Sequence, residues 1–470
     1  MHKEGEKKHG KENAQEGGST KRRVYSLNGY PEETVSVAFA KTSRSPEAFD
    51  EIISELDKES TRKFHETWVI KFGHGSVAEH ASVHLAAENV SRLAVECIEG
   101  NRLGAYTEKS TRYQELDIAH THFPTELEGT EYAELYEQAI GELFSAYDSC
   151  LAGLIEYYRK NTPKKEDEPE KRYEANLKLM ALDNARFLLP NATLANVGIT
   201  FNARVLIHAI RKMLSSPIDE VREIGREMEK AARDSLPTLA GDPQPSKYAE
   251  NVRISFHSEL WDQRAPFKSK VELVHYEKEA LDKVVAAFLY RYSALSFEEA
   301  RHRAQKMGVA EKRKTLEKAL EGISREPPLR EFEHAYYTFD LVMDQGAYCE
   351  FKRHRMLTLT PQEPTVHLGY LIPEDIKKAG LEETFRKALD ASTEAFKKME
   401  ADFPYAAGYL ATNAHYRRCL ATMNLRELNH FIRLRSSPWA HFTIREVAKG
   451  MLEKIQNAHP ILTFWIEAKS

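Results

Sequence analysis

Residues 78–102 read "AEHASVHLAAENVSRLAVECIEGNR" and residues 332–355 read "FEHAYYTFDLVMDQGAYCEFKRHR". The two run in parallel from Glu-His through an apolar segment to a terminal Arg, with the spacing one residue longer in the first. Self-similarity at this separation is the mark of an internal repeat, and it extends outward in both directions. Downstream, "ITFNARVLIHAIRKML" (199–214) matches "ATMNLRELNHFIRLRS" (421–436) without a gap, through Asn-x-Arg, then His, then Arg. Upstream, "VYSLNGYPEETVSVAFAKTSRS" (24–45) has the layout of "VELVHYEKEALDKVVAAFLYRYS" (271–293), which predicts a short alternating strand followed by a helix.

At 470 residues, 41% hydrophobic, the chain is long enough for two domains with their own cores. The expected division is a disordered polar tail at 1–23, a first domain at 24–240, a linker rich in scattered prolines at 241–270, and a second domain at 271–470. A net charge of -5, from 67 basic and 72 acidic side chains, gives no global field to draw the protein onto nucleic acid or an anionic membrane. Any anion site must therefore be local. No apolar run reaches the roughly 18 to 20 residues of a membrane span. Cys97, Cys150, Cys349 and Cys419 stand singly, which suggests neither zinc nor disulfides and fits reduced thiols in a cytoplasm. His120 and His122 lack Cys or carboxylate partners nearby, so no metal is expected.

On a helix, Arg204, His208 and Arg211, and equally Arg426, His430 and Arg433, fall at i, i+4 and i+7 on one face. The bland reading of one such face is a solvated surface with snorkelling arginines. Its recurrence in both halves argues for more.

The decisive contrast lies in the loops that follow the repeat. Residues 100–113, "GNRLGAYTEKSTRY", align with residues 353–366, "RHRMLTLTPQEPTV". The second copy has the basic opening Arg353-His354-Arg355 where the first has Gly100 and Asn101; the first has Glu108, Ser110, Arg112 and Tyr113 where the second has Pro361, Glu363, Thr365 and Val366. Together the two halves resemble the signature R-H-R-x-x-S-x-x-x-x-S-x-R-Y of the flavin-dependent thymidylate synthases. The resemblance takes in His74, Glu79-His80, both Asn-x-Arg helices and "SPWAHFTIREVAKGM" (437–451), so the chain looks like a tandem fusion of two diverged copies.

That resemblance implies an α+β fold: two pseudo-repeated domains, each a small antiparallel sheet with several helices, paired to imitate the family's dimer. Two chains, as a homodimer, would reproduce its tetramer. It implies FAD as cofactor, methylenetetrahydrofolate and NADPH as co-substrates, and dUMP as the nucleotide. Arg353, His354 and Arg355, the pairs Asn202 with Arg204 and Asn424 with Arg426, and His74 would face the flavin. Glu108, Ser110, Arg112, Arg186 and Arg435 would face the nucleotide, with Gly408 standing where the second copy has lost its Arg186. Arg353 and Ser110 act at the reaction itself: the first as a cation near the pyrimidine carbonyls, the second by binding and positioning, since no His with an orienting acid stands in sequence range to activate it.

The chemistry agrees with these residue types. A phosphate dianion suits the planar forks of Arg112, Arg186 and Arg435. No GxGxxG follows a strand, so nicotinamide would bind transiently. One departure stands out: the family's glutamine three residues before the basic opening is Glu350 here and Cys97 in the first copy. A carboxylate accepts where glutamine both donates and accepts, which leaves open a different pyrimidine nucleotide, or an ion pair of Glu350 with Lys352 or a nearby Arg. A non-catalytic flavin- or nucleotide-binding paralogue is the reading from another class.

Overall fold

The computed structural model describes residues 22–324 and 326–469; nearly all of the expected tail lies outside the described residues. In chain order the elements that frame the site are α1 (Glu32–Lys41), β1 (Ser82–Ser91), α2 (Arg92–Glu99), β2 (Ala105–Glu108), α3 (Tyr132–Asn161), α4 (Glu170–Ala185), β3 (Leu194–Asn202), α5 (Ala203–Leu214) and α6 (Asp219–Ala232). Next comes α7 (Lys247–Leu260), in the stretch read as a linker. The second copy runs β4 (Val271–Tyr276), α8 (Ala280–Arg291), β5 (Tyr336–Asp344), α9 (Gln345–Phe351), β6 (Leu357–Pro361), α10 (Glu382–Met399), β7 (Tyr416–Asn424), α11 (Leu425–Arg435) and α12 (Phe442–Ala458).

The strands form two antiparallel sheets, ordered β1-β3-β2 and β4-β5-β7-β6. β1, β2 and β3 thus correspond to β5, β6 and β7, and the α+β tandem expected from the repeat is the fold observed. The extra residue in the first copy has a structural cause. Pairing of β5 with β7 runs in unbroken register from Tyr336–Asn424 to Asp344–Tyr416, whereas β1 slips against β3 between Ala87 and Val90. A β-bulge absorbs the inserted residue there, with Asn89 at φ 55, in the left-handed region that asparagine tolerates.

The short strand expected at 24–28 does not form. Its counterpart β4 pairs with β5, but in the first copy the Ser82 N–H at the start of β1 donates instead to the Glu32 carboxylate at 3.1 Å, and Arg23 and Tyr25 are drawn aside to Asp50 at 2.6 and 3.1 Å. A strand needs a partner edge, and here neighbouring side chains hold the segment away from it.

The copies join through a shared core. Tyr136, Leu143 and Phe144 of α3 and Leu177 and Leu182 of α4 pack with Phe385, Leu389 and Phe396 of α10, while each sheet keeps a separate core against its own helices. Backbone bonds across the junction are reciprocal. Asn191 N donates to Ala411 O at 2.9 Å and Asn413 N to Leu189 O at 3.0 Å; Ala192 N to Tyr409 O and Ala414 N to Phe187 O are both 3.0 Å. The side chains repeat the pattern, Asn191 Nδ2 to Gly408 O at 3.1 Å and Asn413 Nδ2 to Arg186 O at 2.9 Å. Reciprocal pairing is what a two-fold dimer interface produces, so one covalent chain reproduces an isologous contact.

Candidate active site

A pseudo-two-fold junction creates two related clefts. One, of about 300 Å³, is lined by Arg92, Ser110, Arg112 and Arg186 of the first copy and by Glu350, Arg353, Arg435 and Trp439 of the second. The two half-signatures meet here.

Local structure explains how each group arrives. Ser91 caps α2 by accepting from Ala94 N at 3.0 Å, which sets Arg92 at the base of the cleft; Asp344 caps α9 in the same way through Ala347 N at 2.8 Å. β2 ends at Glu108, and the turn that follows carries Ser110, whose Oγ accepts from Arg112 N at 3.2 Å. Arg353 follows α9, and Arg435 closes α11.

Charge in the cleft is mostly held in pairs. Buried Glu108 bridges the copies, with Arg92 at 3.1 Å from one carboxylate oxygen and Arg353 donating to the other at 2.9 Å. Burial alone would raise the Glu108 pKa, but Arg92, Lys352 and Arg353 outweigh it and hold the carboxyl below its ordinary range. Arg112 makes a two-pronged pair with Asp183, at 2.7 and 2.9 Å, and its remaining nitrogen donates to the Trp439 carbonyl at 3.2 Å. Arg435 donates to Glu350 Oε2 at 2.8 Å and, through Nε, to His354 Nε2 at 3.1 Å. His354 therefore accepts at Nε2 and donates from Nδ1 to Glu427 at 3.0 Å; burial lowers its pKa and keeps it neutral.

Arg186 is different. It is 3% exposed and its Nε has no hydrogen-bond partner among the described residues. Burial depresses its pKa, the reverse of Arg112, whose charge Asp183 reinforces. A buried guanidinium with an unused donor is costly unless a ligand completes it. Gly346 leaves the room: a Cβ there would stand 3.2 Å from Arg186 Nη2 and 3.1 Å from Asp344 Oδ1.

Not every expected residue comes to this cleft. Asn202 and Asn424 cap α5 and α11, accepting from Val205 N and Glu427 N at 2.9 Å each. Arg204 pairs with Glu79 at 2.5 Å and Arg426 with Glu333 at 2.8 Å, equivalent contacts in the two copies. Arg355 turns away to the Gly104 carbonyl and over the Tyr106 ring. His74 lines a separate cleft with Trp68 and His80. Sequence reasoning missed Arg92 and Asp183. The only signal for Arg92 was a basic residue where the second copy has Gln345; for Asp183 there was none, since its role depends on where the 110–112 turn lands.

The second cleft, about 380 Å³, is lined by Gly100, Pro361, Glu363, Lys212 and Tyr405 among others. Lys352 pairs with Glu99 at 2.9 Å and Arg417 with Glu96 at 2.6 Å across it. Arg253 of α7 reaches in, its guanidinium 6.0 Å from the Tyr405 ring centre. Among the described residues no group of three or more His, Cys, Asp or Glu could hold a metal, and no helix is long and apolar enough to cross a membrane.

Fold and cleft together define a tandem α+β protein whose two copies form a pseudo-dimer with one arginine-rich, anion-ready cleft at their junction. The chain belongs to the family of the thymidylate synthase complementing protein, that of the flavin-dependent thymidylate synthases: the family model matches it twice, over residues 26–238 and 272–461. Over nearly its whole length it is similar to a UPF0159 protein of Chlamydia muridarum, 27% identical over 93% of this chain and 90% of that one, and to UPF0159 protein Ta1429 of Thermoplasma acidophilum, 28% identical over 87% and 89%. The flavin-dependent thymidylate synthase of Clostridium tetani is 30% identical over 46% of this chain and 83% of its own. A solved flavin-dependent thymidylate synthase from Helicobacter pylori, complexed with FAD and dUMP, aligns with 43% of this chain and all of its own at 18% identity and a TM-score of 0.32.

Proposed function

We propose that the chain is a flavin-dependent thymidylate synthase-like enzyme that methylates dUMP reductively at C5, giving dTMP with methylenetetrahydrofolate as carbon donor, at the composite cleft between its unlike copies. The observation that carries this is Arg186, buried with an unused donor in a cleft where Arg92, Arg112, Arg353 and Arg435 face only Glu108, Asp183 and Glu350. The surplus of cations suits a phosphate dianion. Family membership and the half-length relatives named flavin-dependent thymidylate synthases support the reading.

Within the cleft, Arg112 and Ser110, which are half-buried, take the phosphate, where less water must be stripped from it. Arg186 and Arg435 take the base. Arg353, its side chain 48% exposed and anchored by Glu108, stabilises charge building on the pyrimidine carbonyls and faces the flavin. FAD supplies the hydride when bound and is renewed by NADPH. Asn202, Arg204, Asn424, Arg426 and His74 line no part of this cleft, so a homodimer of the tandem chain, in the cytoplasm, brings a second copy's residues to complete the flavin site. The visible spectrum of the purified protein with and without dUMP tests the reading. Flavin absorbance that shifts on adding dUMP, together with dTMP formation, is expected; flavin indifferent to dUMP indicates another pyrimidine, and no flavin indicates a non-catalytic paralogue.

A further inference from the structure

The second cleft has exchanged its floor and its rim. In the composite cleft Gly346 leaves room for Arg186; in the second, the equivalent pair is reversed, with Leu93 at the position of Gly346 and Gly408 at that of Arg186. A Cβ on Gly408 would lie 3.8 Å from Leu93 Cδ2 and 3.9 Å from Pro364 Cβ, so buried Leu93 and Pro364 make an apolar floor where the other cleft has a guanidinium. Cations return from other elements. Lys212 of α5 places its Nζ 3.0 Å from where a Cβ of Gly100 would be, the root of the side chain that Arg353 has in the composite cleft. Arg253 comes from α7, none of whose residues is buried and which straps the mouth. Ser246 N donates to Ser215 Oγ at 2.7 Å and Arg253 to the Ser215 carbonyl in the first copy; His257 lies 5.2 Å from the Tyr405 ring of the second, and Arg264 donates to Glu400 at 2.9 Å. Lys352 and Arg417 take up Glu99 and Glu96, and Arg355 turns to the Gly104 carbonyl. What lines the cavity without an ion pair among the described residues is Lys212, Arg102 and Arg253 against a single carboxylate, Glu363.

We infer that the second cleft binds an apolar α-amino acid, with its carboxylate between Lys212 and Arg253, its ammonium at Glu363 and its side chain on the floor of Leu93 and Pro364. Such a zwitterion meets both signs of charge with charge-assisted hydrogen bonds and covers the apolar floor at the same time. A nucleotide phosphate would meet the cations but bring its charge against Glu363, and a plain hydrocarbon would strip water from all four charged groups without replacing it. A peptide segment is kept out by α7 across the mouth. The cavity, of about 380 Å³, is within the range of small-ligand sites. Lys212 belongs to the first copy and Glu363 to the second, so the bound amino acid ties the copies together. The site is separate from the composite cleft, and the inference stands whether or not dTMP is made there.

Calorimetric titration of the full chain with L-phenylalanine, 3-phenylpropanoate and phenethylamine, in the presence of FAD and dUMP, tests it. L-Phenylalanine is expected to bind once per chain and at least about tenfold more tightly than either compound that lacks one of its two charges. Glu363→Gln should remove its advantage over 3-phenylpropanoate, and Lys212→Met its advantage over phenethylamine, each without the loss that the other causes. Failure of L-phenylalanine, L-leucine and L-methionine alike to bind at up to about 10 mM overturns the inference. Binding that neither substitution changes, or that dUMP displaces, overturns it as well, since the amino acid would then sit elsewhere.

Discussion

The two clefts are cut from one pseudo-two-fold junction, and they differ in what each copy kept. At the positions of Glu108, Ser110, Arg112 and Arg186 the second copy has Pro361, Glu363, Thr365 and Gly408, and at those of Arg353 and Arg435 the first has Gly100 and Met213; of these replacements Gly100, Pro361 and Glu363, with Lys212, line the second cleft. Its charges Lys352 and Glu99, and Arg417 and Glu96, close on one another across the junction, and its Tyr405 is covered by Arg253, His257 and Trp261. In a homodimer of identical subunits both clefts would be constrained by one sequence. Fusion removes that constraint, so each copy can keep half of a site, and the other cleft can turn to holding the copies together.

Substitution is the sharpest way to break this contrast. Under the proposed function, Arg112→Ala and Arg353→Ala should each lower dTMP formation by at least about a hundredfold, since each would remove a charged contact to the nucleotide; Arg112→Ala also leaves Asp183 without its partner, and Arg353→Ala leaves Glu108 only Arg92. Mixing the two variants asks whether sites are shared between chains: recovery of part of the rate means that they are. Removing charged side chains that line the second cleft instead, by Lys212→Ala and Glu363→Ala, should leave turnover within roughly a factor of two, the scale of changes away from the chemistry. A loss as large as that of Arg112→Ala would show that the second cleft works too.

The reciprocal junction gives a subtler comparison. Asn191→Ala and Asn413→Ala each remove one buried side-chain bond to a backbone carbonyl, and each should cost about 1 to 3 kcal/mol in thermal or denaturant unfolding, by similar amounts. Markedly unequal costs would mean that the two sides of the junction have diverged in strength.

The smallest effect expected is with pH. The His354 pKa is depressed by burial, so its neutral form supports the native cleft above the ordinary histidine range, and that support is lost as pH falls through the folded-state value below it. Protonation turns Nε2 from acceptor to donor against Arg435, loosening the Arg435–Glu350 pair. Nucleotide affinity should therefore drop on the acid side of neutrality by a few fold. A variant with His354→Gln, which retains an acceptor, should lose this dependence; persistence of the drop would place the titration elsewhere.

Much of this architecture was legible in the chain, for identifiable reasons. Repetition shows as matching patterns whatever the packing, so the tandem, the split signature and the Asn-x-Arg helices could be read directly. The one-residue difference in spacing was visible too, although only strand pairing shows it to be the bulge at Asn89. Where a local pattern has several uses, only its surroundings choose among them. "VYSLN" has the alternation of a strand but is held off the edge of β1 by Glu32 and Asp50. Asn202 and Asn424 could serve a cofactor or a helix end; within one chain their Oδ1 atoms cap α5 and α11. Of the ion-pair partners open to Glu350, Lys352 or a nearby arginine, the structure gives it Arg435, and Lys352 goes to Glu99.

By itself the sequence determined that there are two copies, what type of fold they take, and which half of the signature each retains, because residue identity and order carry that information. Only the tertiary structure decided that Glu108 meets Arg353, that Arg112 is steered by Asp183, and that Glu350 and Arg186 keep unused polar atoms in one cavity. Those contacts join residues far apart in the chain, and their closeness follows from the packing of α3 and α4 against α10 and from the reciprocal bonds at the junction. A linear order of residues sets no such distances.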